Sequence, residues 1–233
     1  MSLLSILEEL RDFDTALLAN TIDYIDPTPP YQSYMGGSIR SLTPSLGPTV
    51  GVAVTCEVDA STPEGAHDFT LYYQQLDEIR GMEVPVVWVV KAVGSRPDHE
   101  CIMGDGMAKD LYANGCIGIV TDGGVRDVGG MLSTNFAAYC KGTTIHHCGV
   151  RFRSINQPVE VGGITVRPGD VIHANAEGVI RIPSTCLEIL PARATQMRAF
   201  EHDAHRVLRR TDLNSRDKRD RVREILAKYG FVK

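Results

Sequence analysis

The chain has 233 residues, 43% of them hydrophobic, and a formal net charge of −5. That is enough apolar material for one sizeable core or two small domains, and the acidic balance argues against a general nucleic-acid binder. No apolar run follows an early basic segment and none is long enough to span a bilayer, so a cytoplasmic protein with no membrane or nucleic-acid partner is expected. Cys56, Cys101, Cys116, Cys140, Cys148 and Cys186 show no Cys-x-x-Cys spacing and mostly sit in apolar runs. They read as reduced, buried thiols and not as a zinc site.

Residues 2–25 read as helical, with Leu17, Leu18, Ile22 and Ile25 on one face and Asp14 or Thr15 as a cap for the second segment. Pro27, Pro29 and Pro30 end it. A short strand is expected over 39–42 and a β-branched one over 49–58. A loop over 61–65 leads to a helix over 66–79. Val86, Val87, Trp88, Val89 and Val90 form an unbroken apolar run inside a strand over 84–93, the pattern of burial on both faces. A loop over 94–99 follows.

The central stretch reads as a turn at Gly104-Asp105-Gly106-Met107, a helix with Met107, Ala108 and Leu111 on its apolar face, and a stop at Gly115. A buried strand over 116–120 and a second turn at Asp122-Gly123-Gly124-Val125-Arg126-Asp127 complete it. Polar groups therefore gather at the amino end of a helix and the carboxyl end of a neighbouring strand, where open α/β sheets place ligands. Beyond Asp127 the pattern gives a short helix, a strand over 136–140 and another over 144–152. From 158 to 182, antiparallel strands are broken at Gly162-Gly163, Pro168-Gly169-Asp170 and Glu177-Gly178.

From Ser184 onward the chain reads as helical. Thr185 and Glu188 match a capping box, and Pro191 interrupts or restarts the helix. Val222, Ile225, Leu226 and Tyr229 follow helical spacing between a cap at Ser215 and a stop at Gly230. Residues 201–233 carry +4 and the remainder −9, which suits a solvated helix packed on its own body or on a neighbouring subunit. Two units are expected: an α/β domain over 1–183 with a helical amino terminus, and a helical extension over 184–233.

Asp105, twenty intervening residues, then Arg126-Asp127 resembles the signature of the metal-dependent class II pyruvate aldolases. These share their fold with the regulators of ribonuclease E activity. The resemblance covers about 50–183 and includes Gly51-Val52-Ala53-Val54-Thr55 and the stretch from Val161 to Asp170. It implies a swivelling β/β/α sandwich of the phosphohistidine-domain type, assembled as a trimer or as a hexamer of two trimers. It also implies a divalent-metal-dependent lyase acting on a small 2-oxo acid with a pyruvyl core, by retro-aldol cleavage or oxaloacetate decarboxylation. The alternative is a non-catalytic interaction protein like the ribonuclease E regulators. A methyltransferase is disfavoured, because no glycine-rich nucleotide loop follows the first strand.

Under the lyase reading, the enolate left by bond cleavage needs either a lysine Schiff base or a divalent metal. Lys91 and Lys109 are the central lysines, and neither shows an activating partner in the sequence. A Mg²⁺ or Mn²⁺ ion with few protein ligands and several waters fits better. Asp127 would hold it directly and Asp105 through water. Arg126 would neutralise the pyruvyl carboxylate and the forming enolate. Gly104, Gly106 and Met107 would bind the carboxylate through the backbone at the helix start. The resemblance also implies a site between subunits with a neighbour's carboxylate supporting the metal waters, for which Glu201 is the candidate here. As structural residues, Asp105 and Asp127 would simply cap helices and Arg126 would be a surface charge.

This chain departs from the aldolase pattern at three places. Gly130 stands where an acid is usual, Ala19-Asn20 replaces Ser-Asp, and the late turn reads Asn175-Ala176-Glu177-Gly178. The first departure weakens aldol cleavage of bulky substrates and leaves decarboxylation open. His146-His147 lies on an expected strand, where neighbours face opposite ways and cannot easily share an ion. His67-Asp68 reads as solvent-exposed, with reach toward a substrate as the alternative. His99, His173 and His205 show no usable pattern.

Overall fold

A computed structural model describes residues 1–63, 66–146 and 149–231. Two helices open it, α1 (Leu3–Leu10) and α2 (Thr15–Ile25), capped by the Ser2 and Asp14 side chains. Then come β1 (Arg40–Ser41), β2 (Thr49–Asp59), α3 (Thr70–Arg80), β3 (Val86–Ala92), β4 (Cys101–Met103), α4 (Asp105–Ala113) and β5 (Cys116–Thr121). After these lie β6 (Gly124–Val125), α5 (Val128–Ser133), β7 (Ala137–Cys140), β8 (Gly142–Thr143) and β9 (Arg151–Ile155). The hairpins β10 (Val159–Val161) with β11 (Ile164–Val166) and β12 (Val171–Asn175) with β13 (Gly178–Ile182) precede α6 (Leu190–Leu208) and α7 (Ser215–Lys228).

The fold is mixed α/β. Its main sheet runs β1-β7-β5-β3-β2-β12-β13, with β9 also pairing along β2. β2, β3, β5 and β7 are mutually parallel, and β1, β9, β12 and β13 join antiparallel. The alternation of side chains along β3 sorts the core. Val86, Trp88 and Val90 face a cluster with Tyr72 and Leu76 of α3 and Leu111 of α4. Val87 and Val89 face the opposite cluster with Val159, Val161, Ile164 and Val166 of the β10–β11 hairpin. Both faces are covered, which is why this strand is apolar from Val86 to Val90. A third cluster joins Leu7, Leu10, Leu18 and Ile22 of α1 and α2 to Leu190, Ala194 and Met197 of α6 and to Phe231.

A small parallel sheet, β4-β6-β8, stands apart from the main one. Its strands are too short to announce themselves by periodicity. The expected strand over 144–152 is corrected here. β8 ends at Thr143, where the Thr144 N–H donates to the Val125 carbonyl (3.1 Å) and the Thr144 hydroxyl to the Glu100 carbonyl (2.8 Å). Pairing resumes only at Arg151. His146 therefore lies off any strand, and His147 and Cys148 lie outside the described residues.

Three boundaries also move. α3 starts at Thr70 because Asp68 bridges to Arg151 and its side chain takes the Thr70 N–H (2.9 Å). Thr185 bonds Asp26 through its hydroxyl and forms no capping box, so α6 opens at Leu190-Pro191. Asn214, one residue before Ser215, caps α7 by accepting from the Asp217 N–H (3.0 Å).

Candidate functional site

The Arg126 N–H donates to the Met103 carbonyl (3.0 Å), continuing the β4–β6 ladder by one residue and bringing Arg126-Asp127 beside the start of α4. Asp127 then takes a left-handed backbone, φ 57° and ψ 40°, as the chain turns into α5. Its side chain makes no capping hydrogen bond. That removes the simplest structural reason for an acid here and leaves the carboxylate facing Arg126, with Oδ2 at 3.3 Å from Nε.

Gly104 is the N-cap of α4 and carries no capping side chain. The Ala108 N–H is the one that closes onto the Gly104 carbonyl (3.2 Å), so the N–H groups of Asp105, Gly106 and Met107 precede the intrahelical ladder. Glycine at 104 is a requirement of space: an added Cβ would lie 2.6 Å from Asp127 Oδ2 and 3.0 Å from Arg126 Nε. Gly130 has the matching role on α5. A Cβ there would lie 2.4 Å from the Asp105 Cβ and 2.5 Å from Oδ2. The position where an acid is usual in the resembling aldolases is thus the surface on which Asp105 rests.

These residues line one open cavity of about 250 Å³. Gly104, Asp105, Gly106, Met107, Arg126 and Asp127 form its polar side, and Ile102, Met103 and Val150 contribute apolar walls. The Lys109 ammonium, 2.5 Å from Asp105 Oδ2, holds that carboxyl below its usual range, with smaller help from the Gly106 N–H and Arg126. Lys91 is committed elsewhere, to Asp122 Oδ2 at 2.5 Å, while Asp122 Oδ1 accepts from the Ala92 N–H (2.9 Å). Each central lysine therefore has a carboxylate partner.

Glu201 does not join the group within its own chain. It sits on α6 and accepts from Asn20 Nδ2 of α2 (3.1 Å), which pairs two positions singled out separately in the sequence. His67 Nδ1 accepts from the Val150 N–H (3.2 Å), next to the cavity wall. Asp68 takes the Thr70 N–H, and His99 Nε2 accepts from the Arg96 guanidinium (3.1 Å). His173 is fully buried, and His205 is exposed on α6.

Among the described residues no three His, Cys, Asp or Glu side chains converge on one metal-sized point. The chain offers two carboxylates on one solvent-open cavity, a donor set of hard oxygens that fits a largely hydrated Mg²⁺ or Mn²⁺. Cys56, Cys101, Cys116, Cys140 and Cys186 are buried. Burial pushes the Cys116 thiol up to about 12 and that of Cys140 to about 11, so neither is a nucleophile at neutral pH. Sequence reasoning missed the Asp105–Lys109 contact, although the spacing i,i+4 was readable. The apolar walls had no such signal, being set by tertiary packing.

A family model described as RraA-like (Aldolase/RraA) matches residues 19–181. A protein of Halalkalibacterium halodurans named "Putative 4-hydroxy-4-methyl-2-oxoglutarate aldolase" is 37% identical over 106 residues, which are 44% of this chain and 48% of that protein. The matches span about half the length of such curated relatives. Among solved structures, an uncharacterized protein from Pseudomonas syringae superposes with a TM-score of 0.68 at 23% identity, over 92% of this chain and 96% of that one. Streptomyces coelicolor RraAS2, described as an unusual member of the RNase ES inhibitor RraA protein family, gives 0.68 at 21% identity over 86% and 96%. At these identities the likeness is one of fold.

Proposed function

The chain belongs to the RraA-like family, the Aldolase/RraA group, and from that premise we propose that it is a divalent-metal-dependent lyase acting on a small 2-oxo acid with a pyruvyl core. The observation that carries the reading is the convergence of Asp105, Arg126 and Asp127 with the open amino end of α4 on one cavity. A helix-capping role accounts poorly for Asp127, whose side chain caps nothing.

Asp127 would hold the cation directly and Asp105 would hold it through water. When bound, a divalent cation supplies Lewis-acid stabilisation of charge developing on the pyruvyl 2-oxo oxygen. The chain's own groups do the rest. Arg126 offers the substrate carboxylate a planar fork of donors and lowers the energy of the forming enolate. The N–H groups of Gly106 and Met107, at the positive end of the α4 dipole, fix the carboxylate's orientation. Met103, Ile102 and Val150 narrow the cavity to a short acid. With Gly130 in place of an acid, we assign decarboxylation of oxaloacetate ahead of aldol cleavage, since it needs only the enolate-stabilising groups.

We further read the architecture as a swivelling β/β/α sandwich assembled as a homotrimer or a pair of trimers, with Glu201 serving a neighbour's cavity. The test of function is pyruvate release from oxaloacetate with Mg²⁺ and with EDTA, beside borohydride trapping in the presence of pyruvate. Release that is lost on chelation and restored by Mg²⁺, with no trapped adduct, is expected. A covalent adduct or full activity after exhaustive chelation overturns the mechanism. No release under any condition leaves the interaction-protein reading as the better one.

A further inference from the structure

Asp105 is held from two sides of very different character. The backbone of α5 at Gly130 closes one side with no room for a single added carbon. Lys109 closes the other with its ammonium 2.5 Å from Oδ2, on a side chain that is 57% exposed. The first partner is fixed by a helix and the second hangs on a flexible four-carbon stem. In isolation such an i,i+4 pair is ordinary helix-surface electrostatics. Here, however, its carboxylate lines the cavity, and a second ion pair, Arg126 with Asp127, lines the same cavity. Both carboxylates offered to a divalent cation thus already sit against a cation of the chain.

We propose that Lys109 is the built-in competitor for Asp105: it neutralises this carboxylate and must leave it when a divalent cation recruits it. The inference rests on the reading of the cavity as a divalent-metal site. It follows that the protein binds the cation more weakly than its two carboxylates alone would, and that Lys109 sets the concentration at which the site fills. Arg126 cannot be the adjustable partner, because its fork is assigned to the substrate and its backbone is tied into the β4–β6 ladder.

The experiment is a Mn²⁺ titration of the whole chain without substrate, reading free Mn²⁺ by its paramagnetic resonance signal at fixed ionic strength. Wild type is compared with Lys109→Met, Lys109→Arg and Lys218→Met, the last removing the same charge from α7. Lys109→Met should fill at a Mn²⁺ concentration about two- to five-fold lower, the range an exposed ion pair supports, while Lys109→Arg and Lys218→Met match wild type. Lys109→Gln gives the same reading if the methionine variant aggregates. A midpoint that stays put or rises in Lys109→Met, or falls equally in Lys218→Met, overturns the role of Lys109 and leaves the metal reading intact. Absence of bound Mn²⁺ in every protein overturns both.

Discussion

Arg126 and Asp127 are consecutive, yet their side chains meet (3.3 Å) because the backbone between strand and helix is left-handed at Asp127. Both side chains thereby line the same cavity. Arg126→Lys keeps the charge and loses the fork, and we expect turnover to fall roughly 10²-fold, the cost of removing one transition-state donor. Steady-state assay of oxaloacetate decarboxylation checks this, and wild-type turnover would make Arg126 structural. Asp127→Asn separates charge from conformation. Asparagine tolerates φ near 57° as aspartate does, so the melting temperature should hold while activity and its Mg²⁺ dependence disappear. Retained activity at the same Mg²⁺ midpoint rejects the metal role.

At the scale of elements, His173 of β12 fastens the corner between α1 and α2. Its Nε2–H donates to the Leu10 carbonyl (3.2 Å), which fixes the tautomer, and Nδ1 accepts from the Thr15 hydroxyl (3.0 Å). Burial holds this imidazole neutral, with its pKa pushed down from 6.5 to about 4. Above pH 6.5 neither folded nor unfolded chain binds the proton, and the corner contributes its full stability. As pH falls from 6.5 to 4 only the unfolded chain takes it up, so stability drains away over that window, by roughly 3 kcal/mol at most. Urea unfolding at pH 7, 5.5 and 4.5 should show this slope in wild type and a flatter one in His173→Gln. Equal slopes would remove His173 as the cause.

What could be read from the sequence at this scale followed pattern length. β3 was legible because five consecutive apolar residues need two buried faces, and α2 because a capping Asp14 precedes an apolar stripe. β4 and β6 were not, since two or three residues carry no period. The stretch 144–152 misled because Thr144, at its start, bonds Val125 through its N–H and Glu100 through its hydroxyl instead of extending a ladder. Asp105, Arg126 and Asp127, singled out by the resemblance, meet on one cavity, whereas the clearance at Gly104 and Gly130 was set by helices meeting in space.

For the whole molecule, the third apolar cluster ties α1, α2, α6 and Phe231 together on the side of the fold that carries Asn20 and Glu201. In its own chain Glu201 is absent from the cavity lining. If neighbouring copies exchange this residue, Arg126→Lys and Glu201→Gln should each be strongly impaired alone and regain activity when co-expressed, in a species whose mass by light scattering is three or six chains. Mixed oligomers without recovery would place the complete site in one chain.

The left-handed turn at Asp127 also narrows the paths by which this protein could change. Few side chains sit at φ 57° without strain, and β-branched ones are the worst. Glutamate, the obvious stand-in for an acid, lacks the short local hydrogen bonding that lets Asp and Asn adopt this geometry. Neutral drift at 127 is therefore channelled toward Asn and Gly, which keep the fold and discard the charge. A lineage that lost this acid would retain the cavity and Asp105 but not the direct ligand proposed for the cation, the starting material for a protein that binds without catalysing.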